Sequence, residues 1–273
     1  MIQRGDFPCT AITFTRNSAA SLEASVRSML FCREHVLLDG GSTDGTLEIA
    51  ASYGCRIVPQ DKKYLNAEGR IIDYAGITNQ GMSVATYPWM IVADADEYLD
   101  QRLIDEMQRI IMADVPGAYY VNRLYTLNGT VIDQASTYPN RQIRLWHRAA
   151  GDHYVKVVHE KLVLKPGIVP QILPGIQFVP LDPVEDMRRK LLRYLDLETQ
   201  HAGGRGWADW FRVLWNKLLR IGLRMARIVK IRLLHPGATH LPLRYEWLYL
   251  WYPWQIVLRT CPLTYRGPTR RTP

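Results

Sequence analysis

Long apolar runs, a secretory leader and metal-type cysteine spacing are all missing from this sequence of 273 residues. Because no run of about 18 apolar residues occurs, we expect no transmembrane helix. The first six residues lack the apolar core of a signal peptide, and the four cysteines are scattered along the chain. We therefore expect reduced, mostly buried thiols in a cytoplasmic protein.

Acidic residues are missing from one long segment, because neither Asp nor Glu occurs between Asp209 and Glu246. Residues 182–273 hold 17 Lys and Arg against 7 Asp and Glu, whereas residues 1–181 hold 17 against 19. Such a basic asymmetry is typical of proteins whose partner is an anionic membrane or nucleic acid. No recognised nucleic-acid motif occurs, and we expect no nucleic-acid partner.

The first hundred residues contain alternating strand and helix patterns. Runs typical of strands occupy residues 8–15, 34–38, 55–58 and 88–94. Apolar residues at helical spacing occupy residues 19–30, 47–53 and 69–85. This alternation predicts an α/β fold with a largely parallel central sheet and right-handed crossovers.

The pattern changes after residue 100. We expect a helix at 103–112, strands at 118–125, 141–147 and 154–164, and an irregular exit containing Pro170, Pro174, Pro180 and Pro183. A turn at Asn128 and Gly129 separates the first two of these strands. We place a boundary near residue 181, between a catalytic domain at 1–181 and a basic helical extension at 182–273.

Three polar loops follow predicted strands, at the edge where ligands of open α/β sheets bind. They contain Thr15 and Asn17 after the first strand, Asp39 after the second, and Asp94 and Asp96 after the fourth. Asp94 and Asp96 are two residues apart, so an extended backbone points both carboxylates the same way. Paired carboxylates suit Mg²⁺ or Mn²⁺ shared with substrate phosphates; the alternative is an acidic turn before a solvated helix.

The ordered set of these segments resembles family 2 glycosyltransferases. It comprises residues 13–17, residues 39–46, Asn79 and residues 94–97. Residues 141–147 followed by 158–160 are similar to the branch of lipopolysaccharide core β-glycosyltransferases. The resemblance implies a GT-A fold, a nucleotide-diphosphate sugar donor, a Mg²⁺ or Mn²⁺ ion, and inversion at the anomeric carbon.

The resemblance also implies roles for individual residues. Thr15 and Asn17 lie where the family lines the nucleoside pocket, and Asp39 takes the place of the aspartate that hydrogen-bonds the base. Asp94 matches the aspartate facing the ribose and the metal ion. Asp96 matches the metal ligand next to the diphosphate. For Asp39, the alternative is a plain turn at the entry to a helix.

Asn79 is assigned to the donor site as well, but the residue before it departs from the family. Related sequences often carry Lys or Arg there, and this chain has Thr78. The diphosphate must then depend on the metal and on an arginine, for which Arg70, Arg141 and Arg144 remain open. A guanidinium matches phosphate geometry, and we include Arg144 among the donor-binding candidates. The alternative for Arg141 and Arg144 is a surface charge pair.

An inverting transfer needs a base that deprotonates the acceptor hydroxyl. Glu160, in the His-Glu pair of the resembling branch, is our candidate, and Asp152 is the reserve. The alternative for Glu160 is an exposed strand carboxylate paired with a neighbouring lysine. His159 is a candidate metal ligand, and the alternative is a half-buried histidine satisfied by the backbone.

The basic extension contains a predicted helix at 205–235 with apolar and basic residues at helical spacing. A Trp-rich apolar face beside a basic face is typical of a helix lying in a membrane interface. The alternative is a helix packed on the catalytic domain. The aromatic segment 246–258 also suits the headgroup zone, although it is too short to span a bilayer.

We therefore expect an enzyme bound peripherally to the inner face of the plasma membrane, with a lipid-linked or oligosaccharide acceptor. A GT-A-like nucleotidyltransferase is one rival. It would normally carry a Gly-rich loop with Arg or Lys directly after the first strand, and residues 15–18 are different. A non-catalytic protein that binds membrane or nucleic acid is the other rival.

Overall fold

Strands and helices alternate at the start of a computed structural model of the chain, which describes residues 2–158, 160–201 and 206–263. The predicted α/β class is confirmed. The third helix begins later than expected because Asp73 caps it, its carboxylate accepting the N–H of Gly76 at 2.9 Å. The elements are β1 (Phe7–Thr15), α1 (Leu22–Ser28), β2 (Cys32–Asp39), α2 (Thr46–Ser52), β3 (Arg56–Pro59), α3 (Tyr74–Val84), β4 (Trp89–Asp94), β5 (Tyr98–Leu99) and α4 (Gln101–Ala113).

Two expectations for the following part are wrong. Residues 154–164 form two antiparallel strands rather than one, and Lys156 between them has a φ of 78°. The proline-rich exit is a strand, whose Pro174 lies where its pairing is interrupted between Ile172 and Ile176, so no ladder N–H is needed there. The elements are β6 (Ala118–Leu127), β7 (Thr130–Val131), β8 (Asn140–His147), β9 (Gly151–Val155), β10 (Lys161–Leu164), β11 (Gln171–Pro180), α5 (Val184–His201), α6 (Trp207–Leu234) and α7 (Leu243–Arg259).

The main sheet has the strand order β3-β2-β1-β4-β8-β6-β11-β5. Strands β3, β2, β1 and β4 are parallel, so their carboxyl ends lie along one edge. Strand β8 lies antiparallel between β4 and β6, and β11 is parallel to β6. The prediction of a largely parallel sheet is confirmed, and the three polar loops share one edge.

Helices cover both faces of the sheet, towards which the side chains of each strand alternate. Ala11 and Ile91 pack on one face with Leu103 of α4. Ile12 packs on the other face with Ile77 of α3. Because both faces are buried, the central strands are nearly continuous apolar runs, which is why they were recognisable in the sequence.

The chain forms two compact units. One comprises Met1–Thr126 and Pro139–Pro180, and the other comprises Leu127–Tyr138 and Leu181–Pro273. We expected residues 127–138 to belong with the first unit. Glu246 of α7 holds them in the second, because its buried carboxylate accepts hydrogen bonds from the backbone N–H of Ser136, at 2.8 Å, and from the Ser136 hydroxyl.

Three long helices make up most of the second unit. Helix α5 was not anticipated, although Glu185 and Asp186 in its first turn favour a helix start. Helices α6 and α7 run antiparallel: Trp210 of α6 donates to the Val257 carbonyl at 3.0 Å, and Arg224, further along, donates to the Tyr249 carbonyl at 2.9 Å. Within the described ranges, no helix is both long and apolar enough to cross a membrane.

Candidate active site

The strand register brings three predicted site residues to the same edge of the sheet. Thr15, the last residue of β1, lies opposite Asp39, the last residue of β2. On the other side of β1, Phe14 lies opposite Asp94 at the end of β4. Thr15 is buried, and its hydroxyl has no hydrogen-bond partner in the part of the chain that the structure describes. A buried hydroxyl in this position is available to a ligand.

Asp39 is held in a tight turn by its own loop. Its carboxylate accepts the backbone N–H groups of Gly41 (2.9 Å) and Ser42 (3.0 Å), and the Ser42 hydroxyl at 2.5 Å. Gly41 has a φ of 84°, which a residue with a side chain rarely adopts. These bonds fix the orientation of the carboxylate before any ligand arrives.

Asn17 joins the loops after β1 and β2. Its side-chain oxygen accepts the N–H of Thr43 at 2.8 Å, and its own N–H donates to the Ser42 hydroxyl at 2.9 Å. Its φ is 52°, a left-handed conformation that asparagine tolerates better than most residues. The structure therefore places Asn17 at the expected edge, where it organises the loop of Asp39.

Asp94 is the last residue of β4, whereas Asp96 lies in the turn that follows, so the two aspartates do not share one extended segment. The N–H of Glu97 donates to the Asp94 carbonyl at 3.0 Å, and the N–H of Asp94 donates to the Glu97 carboxylate at 3.1 Å. The side chains of both aspartates are partly exposed. The described residues contain no group of three His, Cys, Asp or Glu placed for a metal ion, and His159 lies outside them.

Arg144 lies beneath this turn and not on the surface. Its guanidinium is buried and donates to the carboxylate of Glu97 at 3.1 Å. Burial lowers the pKa of Arg144, but the carboxylates of Glu97, Asp94 and Glu160 outweigh it, so the pKa is raised. The burial of Arg144 excludes the surface charge pair that we considered for it. Because its guanidinium already contacts Glu97, direct binding of phosphate by Arg144 stays a prediction.

Glu160 comes close to this group through the β9–β10 hairpin. It acts electrostatically on Arg144, as Asp94 does, and on Tyr154, whose pKa is raised by burial and by Glu160 and lowered by Arg144. The structure therefore brings together one acid from the end of β4 and one from the hairpin, with a buried guanidinium near both.

Asp152 is in a different environment from Glu160. It is exposed on β9 and lies 2.5 Å from the ammonium of Lys165 and 2.6 Å from the ring of His153. Its hydrogen bonds with Lys165 and His153 lower its pKa to about 2. Because a carboxylate with so low a pKa is a weak base, this geometry disfavours Asp152 as the reserve candidate.

Asn79 attaches helix α3 to strand β9. Its amide N–H₂ donates to the Tyr154 carbonyl at 3.0 Å, and its oxygen accepts the Tyr154 N–H at 2.7 Å. The preceding Thr78 is buried and donates to the Tyr74 carbonyl at 2.9 Å. The side chain of Thr78, where the chain departs from the family, is thus in the core. The two hydrogen bonds of Asn79 hold the hairpin that carries Glu160.

Sequence reasoning missed the buried polar residues around Arg144. Glu97, Arg123 and Gln177 come from the turn after β4, from β6 and from β11, and all are buried. Glu97 accepts hydrogen bonds from both of the others, at 2.8 Å in the case of Gln177. Arg123 lies in a run of alternating polarity, which gave no sign of which face would be inward.

Comparisons with known proteins identify the family of this chain. The family model described as glycosyl transferase family 2 matches residues 10–164. The lipopolysaccharide core biosynthesis glycosyltransferase LpsC of Rhizobium meliloti (strain 1021) is 30% identical over 167 residues, which are 60% of this chain and 58% of LpsC. An uncharacterized glycosyltransferase of Rickettsia typhi is 28% identical over 138 residues, covering 49% of this chain and 44% of the relative. The chain thus spans about half the length of these relatives.

Two solved structures have lower similarity. S. aureus TarS 1-349 in complex with UDP-GlcNAc has a TM-score of 0.44 and 13% identity, with 69% of this chain and 66% of that chain covered. Mannosyl-3-phosphoglycerate synthase from Rubrobacter xylanophilus has a TM-score of 0.46 and 16% identity, with 74% and 78% covered. The family match covers more than half of the chain and agrees with the predicted GT-A type of α/β fold. The chain belongs to glycosyl transferase family 2.

Proposed function

We propose that this chain is an inverting, metal-dependent hexosyltransferase. It moves a sugar from a nucleotide-diphosphate donor to a lipid-linked or oligosaccharide acceptor in bacterial cell-surface glycan synthesis. The observation that carries the proposal is that Thr15, Asp39 and Asp94 end neighbouring parallel strands along one edge of the sheet. The name of the Rhizobium relative, a lipopolysaccharide core biosynthesis glycosyltransferase, supports a cell-surface glycan as the product. The two chains match over only part of their lengths, so the acceptor is a proposal.

We assign the donor to the edge formed by β1, β2 and β4. Thr15 and Asp39 face the nucleoside, and Asp94 and Asp96 hold a Mg²⁺ or Mn²⁺ ion. Two partly exposed carboxylates fit such an ion, because it commonly takes one or two carboxylates together with substrate phosphates. The bound ion supplies positive charge to the leaving diphosphate.

We assign the base to Glu160. In an inverting reaction, it removes the proton of the acceptor hydroxyl as that oxygen attacks the anomeric carbon opposite the leaving diphosphate. The half-exposed position of Glu160 allows an acceptor to approach.

We assign α6 to an anionic membrane surface at the inner face of the plasma membrane. Its exposed side chains form two adjacent sectors at about 100° per residue. The apolar sector contains Trp207, Phe211, Trp215, Leu218, Met225, Val229 and Leu233. The other sector contains Arg212, Arg220, Arg227 and Lys230 together with the exposed Leu223 and Leu234. A Trp-rich apolar sector beside a basic one suits the headgroup region of a bilayer, where a lipid-linked acceptor is found.

A donor screen tests the catalytic part of the proposal. The full-length protein is incubated with UDP-, GDP- and dTDP-sugars in Mn²⁺, Mg²⁺ or EDTA, with a bacterial lipid extract as the acceptor source. We expect metal-dependent release of one nucleoside diphosphate and a product with inverted anomeric configuration. Pyrophosphate release from a nucleoside triphosphate and a sugar phosphate would instead identify a nucleotidyltransferase. The absence of both activities would favour a non-catalytic binding protein.

A further inference from the structure

Glu97 is the most enclosed acid near the candidate metal ligands, with 1% of its surface exposed. Its carboxylate accepts hydrogen bonds from Arg123, from Arg144 at 3.1 Å and from Gln177 at 2.8 Å. These three side chains belong to β6, β8 and β11, which are neighbours in the sheet. Since Glu97 cannot reach solvent or a substrate, any effect on function must pass through its contacts.

One of those contacts is with the backbone of a candidate metal ligand. The Glu97 carboxylate accepts the N–H of Asp94 at 3.1 Å, and the Glu97 N–H donates to the Asp94 carbonyl at 3.0 Å. The same residue therefore closes the turn of residues 94–97 twice. Because Glu97 is also bonded to three strands, the position of the turn is fixed relative to the sheet.

The charges in this network do not balance. Arg123 and Arg144 contribute two buried guanidinium groups, and Glu97 contributes one buried carboxylate. Because the Glu97 carboxylate also accepts the N–H of Asp94, these buried charges lie directly beneath the turn of residues 94–97.

We propose that Glu97 is a positioning residue for metal-dependent donor binding, acting through Asp94 and the turn of residues 94–97. This inference rests on the proposed function, because it takes Asp94 and Asp96 as the metal ligands. Residues that orient metal ligands typically change metal affinity about 10–100-fold when they are replaced. A network that only stabilises the fold would change the unfolding temperature and leave the metal dependence of binding as it was.

The test measures binding and not turnover. Calorimetry first identifies which of UDP, GDP, ADP and dTDP the wild-type protein binds more tightly with Mn²⁺ than with EDTA. We expect Glu97→Asp, which keeps the charge but shortens the side chain, to weaken Mn²⁺-dependent binding about 10–100-fold. Binding in EDTA should change much less. Glu97→Gln should also weaken Mn²⁺-dependent nucleotide binding, because two buried guanidinium groups lose their counter-charge.

A matched control separates positioning from stability. Glu34, at the opposite end of β2 from Asp39, accepts hydrogen bonds from Thr10 at 2.6 Å and from the N–H of Thr86 at 2.7 Å. Glu34→Gln should lower the unfolding temperature without changing the effect of Mn²⁺ on nucleotide affinity. If Glu97→Asp behaves in the same way, Glu97 is only structural and the proposal is wrong.

Two further variants keep the result interpretable. If the Glu97 variants do not fold, Gln177→Met removes one hydrogen bond to Glu97 and leaves every charge in place, and it should weaken Mn²⁺-dependent binding to a smaller extent. Unchanged Mn²⁺-dependent binding in folded Gln177→Met would then overturn the proposal. Asp96→Asn tests the metal site itself. If Mn²⁺ improves nucleotide binding equally in wild type and Asp96→Asn, the assigned metal site is wrong. If Asp96→Asn loses the Mn²⁺ effect but Glu97→Asp keeps it, the metal site stands and only the role of Glu97 is wrong.

Discussion

Membrane binding by α6 can be tested more sharply with the structure than with the sequence alone. Seven basic residues lie between Arg212 and Arg232, but they are not equivalent. Arg224 and Arg232 donate to backbone carbonyls of the second unit at 2.9 Å, so replacing them would damage the fold. Arg212 lies 3.3 Å from Asp209. The informative perturbation is therefore the combined replacement of Arg220, Arg227 and Lys230 with glutamine.

The expected size of the effect follows from the number of exposed charges. Each basic residue close to an anionic surface contributes about 1 kcal/mol to binding. Removing three of them should cost about 3 kcal/mol, which corresponds to a loss of about a hundredfold in affinity. Raising the salt concentration from about 0.1 M to about 1 M shortens the Debye length from about 10 Å to about 3 Å. High salt should therefore bring the wild-type protein close to the triple variant.

Co-sedimentation with phosphatidylglycerol and phosphatidylcholine vesicles measures this loss. Trp215 has 71% of its surface exposed on the apolar sector, so Trp215→Ser should weaken binding at low and high salt alike. The matched control replaces two arginines and one lysine exposed on the first unit, Arg27, Arg102 and Lys62, with glutamine. Equal losses in both triple variants, or wild-type binding after replacement of the α6 residues, would refute docking through α6. Concentration-dependent self-association that Trp215→Ser abolishes would identify a second copy of the chain as the occupant.

Three further predictions concern the active site and the core. Asp96→Asn should abolish Mn²⁺-dependent nucleotide binding in calorimetry with unchanged thermal unfolding, because an amide is a poorer ligand for a hard cation; unchanged affinity would remove Asp96 from the site. Glu160→Gln should lower turnover about 10²–10⁴-fold with donor affinity retained, and Asp152→Asn should stay near wild type; the reverse result would identify Asp152 as the base. Burial lowers the pKa of His35 from 6.5 to about 3, so between these values the unfolded chain binds the extra proton and stability falls as pH drops. The fall is about 1.4 kcal/mol per pH unit, and urea unfolding from pH 7 to 5 should have a smaller slope in His35→Gln than in wild type; equal slopes would assign the pH dependence to other groups.

The donor side of the site was the part that local sequence could predict. Thr15, Asp39 and Asp94 each end an apolar run that is buried on both faces, and parallel strands place such ends along one edge. The turn after Asp39 was visible as well, because Gly41 supplies a backbone conformation that other residues avoid. Both inferences need only local patterns and the parallel direction of the strands, and no contact between distant residues has to be known.

The proposed acceptor side of the site depends on contacts between distant residues. Arg144 and Asp152 both lie in strands of mixed polarity, yet one is buried on Glu97 and the other is exposed beside Lys165. Local pattern cannot decide between these outcomes, because a shift of one residue in register turns every side chain to the other face. The prolines of β11 misled the prediction for the same reason, since Pro174 is tolerated only where the pairing with β6 is interrupted.

Strand β8 connects the two halves of the candidate site. It pairs with β4, which ends at Asp94, and its Arg144 lies near both Asp94 and Glu160. On the same strand, Trp146 packs edge to face on Tyr154 of the hairpin, with ring centroids 5.6 Å apart. The hairpin that carries Glu160 is thus positioned by the same strand that positions Arg144. Strand β8 therefore links the strand that ends at Asp94 to the hairpin that carries the candidate base.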